Sequence, residues 1–132
     1  MSPRRSLAPV LVAVALASPG LLVPASAGAR DDARARGETR CGQGARTRLE
    51  LRSRDGAIDL RFRLQRGRAG ERWRVVVVQE GRLAWRGRRT TSRRGELDVR
   101  RRLRDLPGAD RVTARAAGPR GTTCAVSLVL PG

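Results

Sequence analysis

An all-β fold, an antiparallel sandwich of about seven strands, is what this sequence predicts, on three observations. From Ala45 to Gln65 apolar and charged residues alternate strictly around a central Asp55-Gly56, the pattern of two half-buried strands joined by a tight turn. Short runs of the same kind recur about every 10–14 residues to the C-terminus, the spacing of a sandwich. No stretch carries an apolar helical stripe of useful length.

Taken in order, the first strand places Thr47, Leu49, Leu51 and Ser53 on one face and Arg46, Arg48, Glu50, Arg52 and Arg54 on the other. The return strand sets Ile58, Leu60, Phe62 and Leu64 against Asp59, Arg61, Arg63 and Gln65. If Arg54 pairs with Ala57, Leu51 faces Leu60 and Leu49 faces Phe62. Arg52 then lies opposite Asp59, and Glu50 opposite Arg61. One register satisfies both faces at once.

Trp73 to Gln79 carries four consecutive valines, Val75 to Val78, predicting a strand with both faces at least partly covered. Glu80-Gly81 turns into Leu83 to Arg89. Glu96 to Leu103 alternates through Leu97, Val99 and Leu103, with Arg101 breaking the series. Pro107-Gly108 is a turn signal before Val112, Ala114 and Ala116. Cys124, Val126, Leu128 and Leu130 form the last strand. Trp73 is expected as a core indole.

Ahead of this lies a leader. Arg4 and Arg5 precede an apolar stretch of 17 residues, Leu7 to Val23, and Ala25-Ser26-Ala27 supplies a small-x-small cleavage pattern. Residues 1–27 therefore read as a signal peptide. The stretch contains Pro9, Pro19 and Gly20 and is short for a transmembrane span, so no stable membrane span is expected. Residues 28–40, rich in Gly, Ala, Arg and Asp, read as a flexible lead-in to a β-sandwich domain over 41–132. Export, to the medium or the cell wall, makes the only two cysteines, Cys41 and Cys124, an expected disulfide. It would enclose nearly the whole domain, a staple suited to a thin core: Leu, Ile, Val and Phe make up only about 19% of the chain beyond Ala27.

The segment from Pro107 to Ala116 resembles the late-strand region of bacterial immunoglobulin-like modules. The whole chain beyond Ala27 is similar to small secreted actinobacterial proteins with a cysteine near each end. What the resemblance implies is an immunoglobulin-like sandwich with no assigned activity. The chain departs from antibody-type domains in two ways: Cys41 precedes the first clear strand, and no Tyr is present for the corner.

The chemistry is narrow. The 132 residues contain 29 Arg against 12 acids, a net charge of +17, with no His, no Lys and no Tyr. A Ser or Cys nucleophile would lack a base, and transition-metal ligation would lack His and spare Cys. Glu50, Asp59, Glu96 and Asp98 could be paired as glycosidase carboxylates, but a general acid needs a raised pKa and neighbouring Arg acts the other way. Neither catalysis, a cofactor nor a small-molecule substrate is expected.

The arginines are the salient feature. Between Arg82 and Arg94 six Arg (Arg82, Arg86, Arg88, Arg89, Arg93 and Arg94) fall within 13 residues without an acid, beside Trp85 and Thr90-Thr91. On a strand returning from a tight turn Arg86 and Arg88 share a face, with Arg89, Arg93 and Arg94 in the loop that follows. Guanidinium forks suit phosphate, sulfate and carboxylate, so this hairpin and loop are a candidate site for an extracellular polyanion: wall polymer, acidic glycan or nucleic acid. Three aromatics are too few for sequence-specific stacking. Two other readings compete. In one, a structural or accessory domain uses its basic surface only for solubility, interleaving Arg with acids on wet strand faces. In the other, a cationic protein acts on membranes, which requires an exposed apolar face that the alternation appoints to the interior. Clustering separates them: solvating arginines interleave with acids in space, whereas a binding site leaves a patch unpaired.

Overall fold

The computed structural model describes Gly20 and residues 32–132 of the chain. The leader, Gly20 aside, and the start of the lead-in lie outside the described residues. Eight strands follow: β1 (Arg34–Arg40), β2 (Arg46–Arg54), β3 (Ala57–Gln65), β4 (Arg72–Gln79), β5 (Arg82–Thr90), β6 (Leu97–Arg104), β7 (Asp110–Ala117) and β8 (Thr123–Leu130). They form two four-stranded antiparallel sheets, ordered β1-β2-β3-β6 and β5-β4-β7-β8. Hairpins β2-β3 and β4-β5 are local; β6 returns beside β3 and β7 beside β4, giving an immunoglobulin-like sandwich.

The turns are those the sequence dictates. Asp55 and Gly56 both have positive φ (50° and 72°), as do Glu80 and Gly81 (48° and 73°), the geometry that matches the twist of a two-residue hairpin. The β2-β3 register is the expected one, with Arg54 opposite Ala57, Leu51 opposite Leu60 and Leu49 opposite Phe62. Inward residues of both sheets make one core: Leu49, Ile58, Phe62, Leu64, Trp73, Val75, Val77 and Val112 are all sealed from solvent. Each such side chain contributes roughly 1.5–3 kcal/mol of burial free energy.

One expectation needs correcting here. Residues 34–40 are not a flexible lead-in; they form β1, paired with β2 from Arg34–Arg52 to Arg40–Arg46. This segment alternates too, but its inward residues are Ala35, Gly37 and Thr39, too small to register as an apolar series. Their size is what lets β1 pack closely on β8: a Cβ on Gly37 would lie 2.8 Å from the Leu128 side chain. The valine run has both faces at least partly covered, as expected: Val75 and Val77 are fully buried, and Val76 and Val78 point outward and are half-buried.

The expected disulfide is present. Cys41, just after β1, is bonded to Cys124 in β8, with Cα atoms 5.0 Å apart. It ties the β1 edge of one sheet to the β8 edge of the other. The opposite side of the sandwich, where β5 faces β6, is closed by different means. Arg101, the residue that breaks the apolar series of β6, lies with its guanidinium 4.5 Å from the Trp85 ring centroid.

Candidate functional site

Outward residues distribute their charge differently on the two sheets. On the β1-β2-β3-β6 sheet, Arg and acids interleave. Arg48 pairs with Glu38, Arg52 with Asp32 at 2.9 Å, Arg61 with Asp98 at 2.8 Å, and Arg102 with Asp59 at 3.6 Å. These are not the ion pairs that the β2-β3 ladder suggests. Arg52 faces Asp59 and Glu50 faces Arg61 in register, yet Arg52 reaches back to Asp32, and Arg61 reaches diagonally across to β6. Long guanidinium side chains choose the neighbour that allows a better fork: Arg61 meets Asp98 through both Nε and Nη2. The hydrogen bond from Arg61 holds the Asp98 carboxyl below its ordinary pKa, with Arg100 and Arg63 adding to the effect. Glu38 is held low in the same way by Arg48, and Asp32 by Arg52. A hollow of about 930 Å³ lies over this face, and Glu50 and Asp59 stand among its arginines.

The other sheet is segregated. The β4-β5 and β4-β7 registers set Arg74 opposite Arg88, and Val76 between Arg86 on one side and Arg115 on the other. Arg72 is two residues along from Arg74 and opposite Thr90. Five guanidinium side chains, from Arg72, Arg74, Arg86, Arg88 and Arg115, thus rise from three adjacent strands over a floor of Val76 and Ala117. With strands about 4.8 Å apart and i, i+2 steps of about 6.8 Å, their bases occupy roughly 10 by 14 Å. Among the described residues no carboxylate is within ion-pair reach of any of the five. The acids that flank β4 are engaged elsewhere: Glu71 pairs with Arg120, and Glu80 accepts the backbone N–H of Arg111. Two shallow hollows open between the arginines, about 400 Å³ beside Arg72, Arg88 and Pro119 and about 530 Å³ beside Val76 and Arg86.

The arrangement is held from behind by Thr91. Its buried hydroxyl accepts the Glu71 N–H at 2.8 Å and donates to the Arg68 carbonyl. Backbone bonds Thr91 N–H to Glu71 O (2.8 Å) and Gly70 N–H to Thr91 O (3.1 Å) complete the stitch. This fixes the start of β4 against the end of β5, and so sets Arg72 and Arg74 beside Arg88.

Only part of the hairpin cluster read from sequence is gathered here. Arg86 and Arg88 share the outward face as expected. Arg82 sits at the turn, opposite Gln79. Arg93 and Arg94 lie exposed in the loop beyond Thr91. Arg89 is not in that loop: β5 continues through Thr90, and Arg89 turns to the inward side, its guanidinium 5.1 Å from the Trp85 ring centroid. Arg72, Arg74 and Arg115 complete the cluster in their place. Arg72 and Arg74 could have been noticed as the wet positions before the valine run; adding Arg115 requires knowing that β7 lies beside β4.

Among the described residues no group of three or more His, Cys, Asp or Glu is placed to hold a metal ion, and no helix is long and apolar enough to cross a membrane. Comparison with protein-family models, with curated proteins and with solved structures finds no match.

Proposed function

We propose that the chain is an exported, non-catalytic domain that binds polyanions outside the cytoplasm through the outward face of the β5-β4-β7-β8 sheet. The supporting observation is the segregation of charge. Solubility alone is served by the opposite sheet, where Glu38, Asp59 and Asp98 stand among the arginines and pair with Arg48, Arg102 and Arg61. Gathering Arg72, Arg74, Arg86, Arg88 and Arg115 without an acid works against the fold. Each pair of like charges about 7 Å apart repels by about 0.6 kcal/mol in water before salt screening. A bound polyanion removes that repulsion and releases the counterions it carried. The apolar floor of Val76 and Ala117 strengthens the attraction by lowering the local dielectric.

Heparin or DNA affinity measured against salt tests this. Five contacts on a DNA-like polymer correspond to a slope of log K against log salt of roughly −4 to −5. Arg74→Glu, Arg86→Glu and Arg88→Glu together abolish most of the retention. Reversing three arginines of the other sheet, Arg36, Arg63 and Arg104, changes the net charge equally and weakens retention far less. Equal loss from the two triple variants would show general charge attraction and reject the site.

A further inference from the structure

We infer that this same face docks on the surface of an anionic phospholipid bilayer, a step that rests on the polyanion-binding reading and names the form in which the anions are presented. The two large hydrophobic side chains that the described residues leave exposed are Leu83, 57% accessible, and Val129, 47% accessible. Both lie on the outward face that carries the arginine cluster. Leu83 is in register with outward Val78, and Val129 with outward Arg111. They stand on the two edge strands, β5 and β8, three strand spacings apart and offset by two residues, roughly 16 Å in all.

Between them runs a weakly polar row. Val78 and Val76 are half-buried, and the hydroxyls of Thr113 and Ser127 are 2.8 Å apart, each serving as the other's partner. The face therefore has an end crowded with arginines and a more apolar end, where Leu83, Val78 and Val129 stand with Arg111. The outward positions of the other sheet carry charged or polar side chains throughout, apart from Ala57 at the turn. A soluble linear polyanion has no use for an exposed Leu and Val beside its phosphates. A lipid surface has: phosphate headgroups meet the guanidinium forks while apolar side chains enter the interfacial region. Arginine suits this place, since its aliphatic stem can lie over apolar surface while the head reaches outward. Such docking is peripheral and requires no spanning element.

Sedimentation with vesicles of phosphatidylglycerol and phosphatidylcholine, run beside heparin chromatography, tests the inference. Leu83→Ser with Val129→Ser changes only exposed positions, and far-UV circular dichroism verifies that the fold is kept. This double variant is expected to bind vesicles about tenfold more weakly while keeping its heparin elution unchanged. Arg74→Glu, Arg86→Glu and Arg88→Glu together lower vesicle binding on the order of 10²-fold or more and also advance heparin elution. If the wild-type chain is retained by heparin but ignores the vesicles, or if the double serine variant binds vesicles as the wild type does, lipid docking is overturned and polyanion binding stands. If reversing the arginines affects neither ligand, both fall.

Discussion

The guanidinium of Arg101 lies 4.5 Å from the ring centroid of Trp85, joining β6 of one sheet to β5 of the other where the sandwich has no disulfide. Arg89, four residues along β5, approaches the same ring at 5.1 Å. Gly87 makes room for the indole, because a Cβ there would come within 2.4 Å of it. Arg101→Ala should therefore lower the unfolding free energy in urea by about 1 kcal/mol, the scale of a half-exposed cation–π contact. Trp85→Ala should cost more, since burial is lost as well. An Arg101→Ala variant as stable as the wild type would show that the stacked cations contribute nothing.

Arg88 and Arg89 are adjacent in sequence and opposite in direction. Arg88→Glu should advance elution from heparin with little change in stability. Arg89→Glu should do the reverse, placing an acid against the Trp85 cluster, lowering the urea midpoint and leaving retention close to that of the wild type. A similar loss of retention from both would mean that chain charge, and not the outward face, governs binding.

That pair also marks where sequence reading stops. Local chemistry was legible: Asp55-Gly56 and Glu80-Gly81 impose hairpins, and alternation between Leu49 and Leu64 leaves one workable register. The pairing of Cys41 with Cys124 followed from their being the only two cysteines in a chain whose leader predicts export. β1 is faint in the sequence because its inward residues Ala35 and Gly37 are small, and smallness carries little hydropathy signal. Arg89 lies outside the expected loop because β5 runs on to Thr90, and strand ends depend on partners such as Glu71 and Thr91, distant in sequence. The five-arginine cluster was illegible as a whole, since Arg115 comes beside Val76 and so joins Arg74 and Arg86 only through the non-local pairing of β4 with β7.

Reduction should reveal how much the thin core depends on its staple. The Cys41–Cys124 bond spans a sequence separation of 83, for which the loss of unfolded-chain entropy corresponds to about 4.5 kcal/mol. Cys41→Ser with Cys124→Ser should lower the urea-extrapolated stability by about that amount, toward the marginal range for a domain of this size. A loss below about 1 kcal/mol would show that β1 and β8 are held by packing alone, with Gly37 seated on Leu128.

The response to pH should be one-sided. Asp98 is held below its ordinary pKa chiefly by the hydrogen bond from Arg61, Glu38 by that from Arg48, and Asp32 by that from Arg52. For a carboxyl whose folded pKa lies below its unfolded one, the unfolded chain binds more protons in the interval between the two. Stability therefore rises with pH across that interval, is fully present above the unfolded value and is lost as pH falls through the folded value. Unfolding followed by circular dichroism should show a plateau above about pH 5 and a decline below about pH 4. Asp98→Asn should flatten the decline. On the alkaline side there is no His, Lys or Tyr to lose or gain charge, and arginine keeps its proton throughout the range in which a lysine loses its own. Heparin affinity at fixed salt should consequently hold constant from about pH 6 to about pH 10, where a lysine-based site would begin to fail. A fall in affinity within that range would place the binding charge outside the arginine face.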